Sequence, residues 1–305
     1  MRKLHITLLA ATALLLAACG GTNNAGTEIR IDGSSTVAPL TAAAGELFRE
    51  SNPDINVSVG TSGTGGGFAK FCAGETDINN ASRKIKPEEA AICEENGIDF
   101  VEIAVANDAL TVVVNKENTW ATCLTVEELK TIWSPESEGT ITSWSQVRSS
   151  FPDEPLELYG AGTDSGTFDY FTAAINGEEG ASRTDYNPTE DDNVTVQGVS
   201  GSKGALGYFG FSYFEENMDK INAVQIDSGN GCVGPSSEAA QNGTYTPLAR
   251  PLFIYVSKQA VVDNANVKAF VDFYVDNDDA ITARALFVPL SEEQKAAARA
   301  AADEL

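Results

Sequence analysis

The stretch that decides the fold class is Glu28-Ile-Arg-Ile-Asp32, which runs through Gly33-Ser-Ser-Thr36 into Val37-Ala-Pro-Leu40. Its first five residues alternate polar and apolar side chains, the period of a half-buried strand. Val37, Leu40, Ala44, Leu47 and Phe48 then recur on one face of a 3.6-residue helix. A strand that passes through a Gly/Ser/Thr loop into a helix is the building unit of α/β folds.

The same alternation continues along the chain. Asn56 to Gly60, Leu110 to Asn115, Leu156 to Gly160 and Phe253 to Ser257 read as strands. Val267, Phe270, Val271 and Tyr274 mark a helix face. Thr125 and Glu128 form a capping box for a helix through Leu129 toward Trp133, and Ser134-Pro135 stops it. This pattern implies open, largely parallel sheets with helices on both faces, in which ligands sit at strand C-termini and helix N-termini.

Three strand-to-helix loops share one composition: 32–36 (Asp-Gly-Ser-Ser-Thr), 60–67 (Gly-Thr-Ser-Gly-Thr-Gly-Gly-Gly) and 160–167 (Gly-Ala-Gly-Thr-Asp-Ser-Gly-Thr). A helix N-terminus presents free N–H groups and a partial charge of roughly +0.5. Glycine admits an anion close to the backbone, and hydroxyls add donors. One such loop would be an ordinary cap or turn; three converging from two lobes can hold a tetrahedral oxyanion without any net positive charge on the protein. Nucleotide motifs fail here. Phe68 and Ser165 stand where GxGxxG needs its last glycine, and GxxxxGK[ST] does not occur.

Composition narrows the chemistry further. The formal net charge is -24, which argues against a nucleic-acid partner, since phosphate backbones demand Lys and Arg patches. Arg2 and Lys3 followed by an apolar stretch to Ala18 read as a secretion signal, too short for the ~20 residues of a membrane span. Leu16-Ala-Ala-Cys19 resembles a bacterial lipobox, which makes Cys19 the acylated first residue of the mature chain. Residues 19–27 then form a flexible tether. Removal of 1–18 takes away His5, the one histidine, and with it Ser-His-Asp, Cys-His and imidazole-zinc chemistry. Cys72, Cys93, Cys123 and Cys232 remain, an even number without CxxC spacing, so disulfides are expected in an exported protein.

Taken together, Ile31 to Val37, Gly63 to Phe68, Asp77 to Arg83, Gly162 to Phe171, Glu190 to Asn193 and Gly204 to Gly210 resemble the phosphate-binding proteins of high-affinity phosphate ABC transporters. The likeness is to their cyanobacterial-type branch and covers nearly all of the mature chain. It implies an α/β, two-lobed, type II periplasmic-binding-protein fold with the ligand in the interlobe cleft. The lobes expected are 28–114 with 249–305, and 115–248, joined by crossing strands near Val113 to Asn115 and Leu248 to Leu252. That division gives the pairs Cys72–Cys93 and Cys123–Cys232, each within one lobe.

Carried over by position, the resemblance makes Ser35, Thr36, Thr64, Ser165, Gly166 and Thr167 the phosphate donors. Two departures from the better-known members stand out: Ala161 replaces an arginine shortly before Ser-Gly-Thr, and Arg83 replaces a phosphate-contacting aspartate. Arg83 thereby becomes the expected guanidinium clamp. An acceptor for the proton that distinguishes hydrogen phosphate from sulfate is sought among Asp164, Asp191 and Asp192. The implied function is capture of inorganic phosphate for an ABC permease by a monomeric, lipid-anchored, extracytoplasmic protein without enzymatic activity, cofactor or metal. Alternatives are another oxyanion (sulfate, molybdate, tungstate) or a phosphate sensor. A remote one is serine acyl transfer at Ser200-Gly-Ser-Lys203, which matches S-x-x-K but lacks its partner motifs.

Overall fold

The computed structural model describes residues 28–163 and 165–305. The signal, the tether with Cys19, and Asp164 lie outside the described residues. The first part of the chain alternates β1 (Glu28–Gly33), α1 (Ala38–Ser51), β2 (Asn56–Val59), α2 (Gly63–Cys72), β3 (Ile78–Ala81) and α3 (Pro87–Glu95) before a long β4 (Phe100–Asn115). The middle part contains β5 (Cys123–Thr125), α4 (Val126–Trp133), α5 (Trp144–Val147), β6 (Glu157–Ala161), α6 (Gly166–Asn176), β7 (Asn187–Thr189), α7 (Asp192–Gly201), β8 (Ala205–Gly210) and α8 (Phe211–Glu216). Then come β9 (Ile221–Ala223), β10 (Gln225–Asp227), β11 (Cys232–Val233), α9 (Ser237–Gln241) and β12 (Ala249–Ser257). Helices α10 (Lys258–Asp263), α11 (Ala265–Asp276), α12 (Asp278–Ala285) and α13 (Glu292–Ala302) close the chain.

Pairing runs β2-β1-β3-β12-β4-β8-β6-β7, with β9 also on β4, and a separate β11-β10-β5 sheet. The outer pairs β1/β2, β1/β3, β6/β7 and β6/β8 are parallel, as the β/α alternation implies. The middle is antiparallel: β12 pairs β3 and β4 in that sense, and β4 pairs β8 likewise. The expectation of largely parallel sheets therefore holds only away from the centre. A chain that leaves one lobe along β4 and returns along β12 must run in opposite directions in those two strands.

Two apolar cores flank this crossing. Ile29, Val37, Leu40 and Phe48 pack with Ile103, Ile254, Val267 and Phe270, whereas Leu110, Leu129, Trp133, Phe171, Tyr208 and Leu248 form the second cluster. Phe48 meets Phe270 edge-on at 5.5 Å, and Phe171 stacks on Tyr208 at 3.8 Å. The edge-on pair suits the ring quadrupole, and both pairs add to the area buried. The fold is two-lobed. Cys72–Cys93 ties the end of α2 to α3, and Cys123–Cys232 ties β5 to β11 across β10, which is the pairing drawn from the sequence.

Local signals act as read. Thr125 Oγ1 accepts from the Glu128 amide at 3.1 Å while Glu128 Oε2 accepts from the Thr125 amide at 2.9 Å, closing the capping box of α4. Among the described residues no helix is long and apolar enough to cross a membrane.

Candidate functional site

The loops after β1 and β2 are brought together by glycine. Gly33 has φ +133, and a Cβ on Gly67 would lie 2.5 Å from Gly33 Cα. Only a residue without a side chain lets α2 lie this close on the first loop. The third loop approaches from the other lobe: a Cβ on Gly166 would lie 2.8 Å from Thr36 Oγ1 and 3.2 Å from the Thr36 amide nitrogen. All three loops thus converge.

Between the lobes lies a cleft of about 760 Å³, lined by Ser34, Ser35, Thr36, Ser62, Thr64 and Ser82 among its hydroxyls. Arg83, Lys84, Lys86 and Arg250 also line it, against the carboxylates of Asp169 and Glu179. A cation-lined cleft in a protein of net charge -24 is a local field built against the global one, and it favours an anion. Helices α1 and α2, which open on the cleft, have no side-chain N-cap, whereas Thr125, Asp191, Ser236, Ser257, Asn264 and Ser291 cap α4, α7, α9, α10, α11 and α13. In α1 the Ala38 amide already bonds the Ser34 carbonyl and Pro39 has no N–H, so the first-turn donors left uncapped toward the cleft are chiefly those of α2.

Of the residues singled out from the sequence, Ser35, Thr36, Thr64 and Arg83 line this cleft. Thr64 Oγ1 sits 3.1 Å from Ser82 Oγ and accepts from the Ser82 amide at 3.2 Å, fixing the second loop to β3. Arg83 is held end-on by Glu89, with Nη1 to Oε2 and Nη2 to Oε1 both 2.8 Å, and Nη1 also reaches the Lys84 carbonyl at 3.1 Å. Its Nε–H and one Nη2–H donate to no acceptor among the described residues, so one edge of the planar fork stays open. The Glu89 pairing raises the guanidinium pKa, and it is charged at every accessible pH.

Ser165 caps α6, accepting from the Thr167 amide at 3.2 Å. Thr167 itself lines a smaller cavity of about 200 Å³ with Asp108, Asp192, Ser212 and Tyr213. Asp191 caps α7 through Asn193 and lines neither cavity. Asp192 lies half-buried in the smaller one; burial first, then Asp191 and Glu190, push its carboxyl up to about 6.

Sequence reasoning missed the pair at the crossing. Arg250 on β12 is in register with Asp108 on β4 and donates from Nε to its Oδ2 at 3.3 Å. Its Nη2 reaches Thr36 Oγ1 at 3.3 Å, and the guanidinium lies 3.5 Å from the Tyr170 ring centroid. The pair joins the cavities, with Arg250 in the larger and Asp108 in the smaller. Burial drives the Asp108 carboxyl above its ordinary range, against the pull of Arg250. An arginine inside the apolar crossing strand Leu248-Ala-Arg-Pro-Leu252 was the available signal.

The S-x-x-K residues are not assembled for acyl transfer. Ser200 Oγ donates to the Gln197 carbonyl at 3.2 Å, while Lys203 Nζ lies 5.5 Å from the Trp120 ring.

Comparison with known proteins places this geometry. The family model for the PBP superfamily domain matches residues 20–278. Protein SphX of Synechocystis is 49% identical over 266 residues, covering 87% of this chain and 79% of that protein. Phosphate-binding protein PstS of Staphylococcus saprophyticus is 37% identical over 297 residues, covering 95% of this chain and 91% of that one. A solved structure of a possible phosphate binding protein from Planctomyces limnophilus matches with a TM-score of 0.86 at 45% identity, over 92% of this chain and 98% of its own.

Proposed function

The chain belongs to the PBP superfamily, and from that premise we propose that it is an extracytoplasmic solute-binding protein that captures inorganic phosphate and delivers it to an ABC transporter permease. The observation that carries the proposal is the cleft: hydroxyls, uncapped helix termini and two arginines converge in a protein that is otherwise strongly acidic. The likeness to the phosphate-binding protein PstS of Staphylococcus saprophyticus supports the ligand.

In this reading Ser35, Thr36 and Thr64 donate from one lobe and Ser165, Gly166 and Thr167 from the other. Arg83 presents its open edge, and we add Arg250 as a second guanidinium. Fork-shaped donors match phosphate oxygens and offset the hydration a dianion loses on burial. The lobes are taken as 28–114 with 249–305, and 115–248, boundaries that fall within or beside the crossing strands β4 and β12. Closure over the anion is a hinge motion about them, and the closed form is what a permease would read. Acylated Cys19 would tether the monomer to a membrane on its periplasmic or outer side, and no enzymatic step is involved.

Calorimetric titration of the purified protein tests this. Phosphate should bind with sulfate, molybdate and tungstate far weaker. A stronger response to one of those anions would replace the ligand, and turnover of an ester would replace the class. Uptake with the cognate permease separates transport from sensing.

A further inference from the structure

Asp32 stands at the end of β1, buried behind the cleft, and all its hydrogen-bonding capacity is turned inward. Oδ1 accepts from the Gly33 amide at 2.7 Å, from the Ser62 amide at 2.9 Å and from Ser62 Oγ at 2.7 Å. Oδ2 accepts from Lys70 Nζ at 2.5 Å. A Cβ on Gly60 would lie 2.6 Å from Oδ2, so the second loop can pass the carboxylate only as glycine.

Ser62 is the N-cap of α2. A serine at that position ordinarily turns its hydroxyl back onto an amide two or three residues on, here Thr64 or Gly65. In this helix it does not, because the hydroxyl is turned toward Asp32, to which it donates. Lys70, one helix length further along α2, neutralises the carboxylate that would otherwise repel an anion.

We propose that Asp32 is a positioning residue that keeps the first turn of α2 open to the anion by diverting the capping hydroxyl of Ser62. The proposal rests on the cleft being the phosphate site, and goes beyond it by assigning a role to a residue behind the loops. Burial raises the Asp32 carboxyl, but Lys70, Ser62 and Gly33 more than offset this and hold it at about 2, so the acceptor stays ionised down to strongly acidic pH.

The consequence is a rescue by a second deletion, which a carboxylate that merely braced the fold would not give. Phosphate titration should show Asp32→Ala weakened about five- to tenfold, because the freed Ser62 hydroxyl caps α2 and competes with the ligand. Ser62→Ala, which removes the capping hydroxyl outright, sets the reference, and adding it to Asp32→Ala should return affinity to within about threefold of that reference. A double variant as weak as Asp32→Ala, or weaker, overturns the proposal.

Amide exchange supplies a readout that depends neither on the identity of the anion nor on the folding of a variant. In the unaltered protein without anion, the Thr64 and Gly65 amides should exchange fast, and phosphate should slow them. Amides already protected without anion would overturn the role of Asp32. Fast amides that phosphate leaves unchanged, with no binding heat, would overturn the phosphate reading while leaving the open turn intact.

Discussion

Arg250 faces Asp108 in direct register across the two strands that cross between the lobes, with Nε 3.3 Å from Oδ2. The same guanidinium touches Thr36 on the first loop and lies over Tyr170 of α6, so one side chain links the crossing strands, the cleft and the helix after the third loop. Arg250→Ala should weaken phosphate binding by roughly 2 to 5 kcal/mol, the range for truncating one partner of a buried charge pair. It also leaves Asp108 buried without a partner. A carboxyl whose folded pKa lies above its unfolded value costs stability once ionised, so the variant should be more stable near pH 4 than near pH 8. Thermal unfolding at both pH values checks this: a pH-independent deficit would mean that Asp108 is not the group left exposed to the loss.

Gly166→Ala tests the approach of the lobes. The added methyl would sit 2.8 Å from Thr36 Oγ1 and 3.3 Å from Thr36 Cα, where backbone as well as side chain must yield. Overpacking of this kind costs about 1 to 3 kcal/mol, and here it should appear in phosphate affinity. Unliganded stability should change little, since the alanine suits the first turn of α6. Titration with scattering measurements checks it: the variant should remain more extended at saturating phosphate, and unaltered affinity would place the two loops apart in the bound state.

The sequence made the loops legible because strand, glycine-hydroxyl loop and helix face are local patterns, each visible within about a dozen residues. Thr36 and Thr64 lie in such loops, whereas Arg83 lies outside them and was assigned only through the resemblance, as the residue standing where other members have an aspartate. The antiparallel centre was not legible, because whether Phe253 to Ser257 runs with or against Leu110 to Asn115 depends on a return across the whole second lobe. Arg250 escaped for the same reason: an arginine within the apolar run Leu248 to Leu252 was the local signal, but its meaning comes from Asp108, 142 residues away. Ser62 shows a subtler limit. Its position at a helix start was readable, yet the direction of its hydroxyl is set by a carboxylate on a different strand.

Arg83 carries the next expectation. Glu89 grips the outer end of its guanidinium, and burial of Glu89 is more than offset by Arg83 and the Lys86 amide, which together keep that carboxyl below its ordinary range. Arg83→Ala should lower phosphate affinity by roughly 2 to 5 kcal/mol, and Arg83→Lys should recover only part, because an ammonium keeps the charge but not the fork. Lys84 lines the same cleft, but its side chain is 72% exposed and already paired with Glu102 at 3.1 Å, which makes it the control. Lys84→Ala should change affinity by less than about 1 kcal/mol. Calorimetry on the three variants decides the matter, and near-unaltered binding by Arg83→Ala would remove it from the site.

Asp192 carries the selectivity expectation. It shares the smaller cavity with Thr167 and Asp108, and its carboxyl titrates at about 6. Ionised, it can accept the proton of hydrogen phosphate and repel sulfate, which has none to offer. Protonated, it donates and loses that discrimination. The preference for phosphate over sulfate should therefore be strong at pH 8 and decline as pH falls through about 6. Asp192→Asn should show the weaker preference throughout and keep only the pH dependence that the second ionisation of phosphate itself supplies. Stability moves the other way: with its folded pKa raised, the carboxyl costs stability as pH rises through about 6, so the asparagine variant should gain on the unaltered protein at pH 8 and not at pH 4. Paired phosphate and sulfate titrations at pH 5 and pH 8 make the comparison. A change in the phosphate-to-sulfate ratio between pH 5 and pH 8 that is the same in both proteins would pass the acceptor role to another carboxylate.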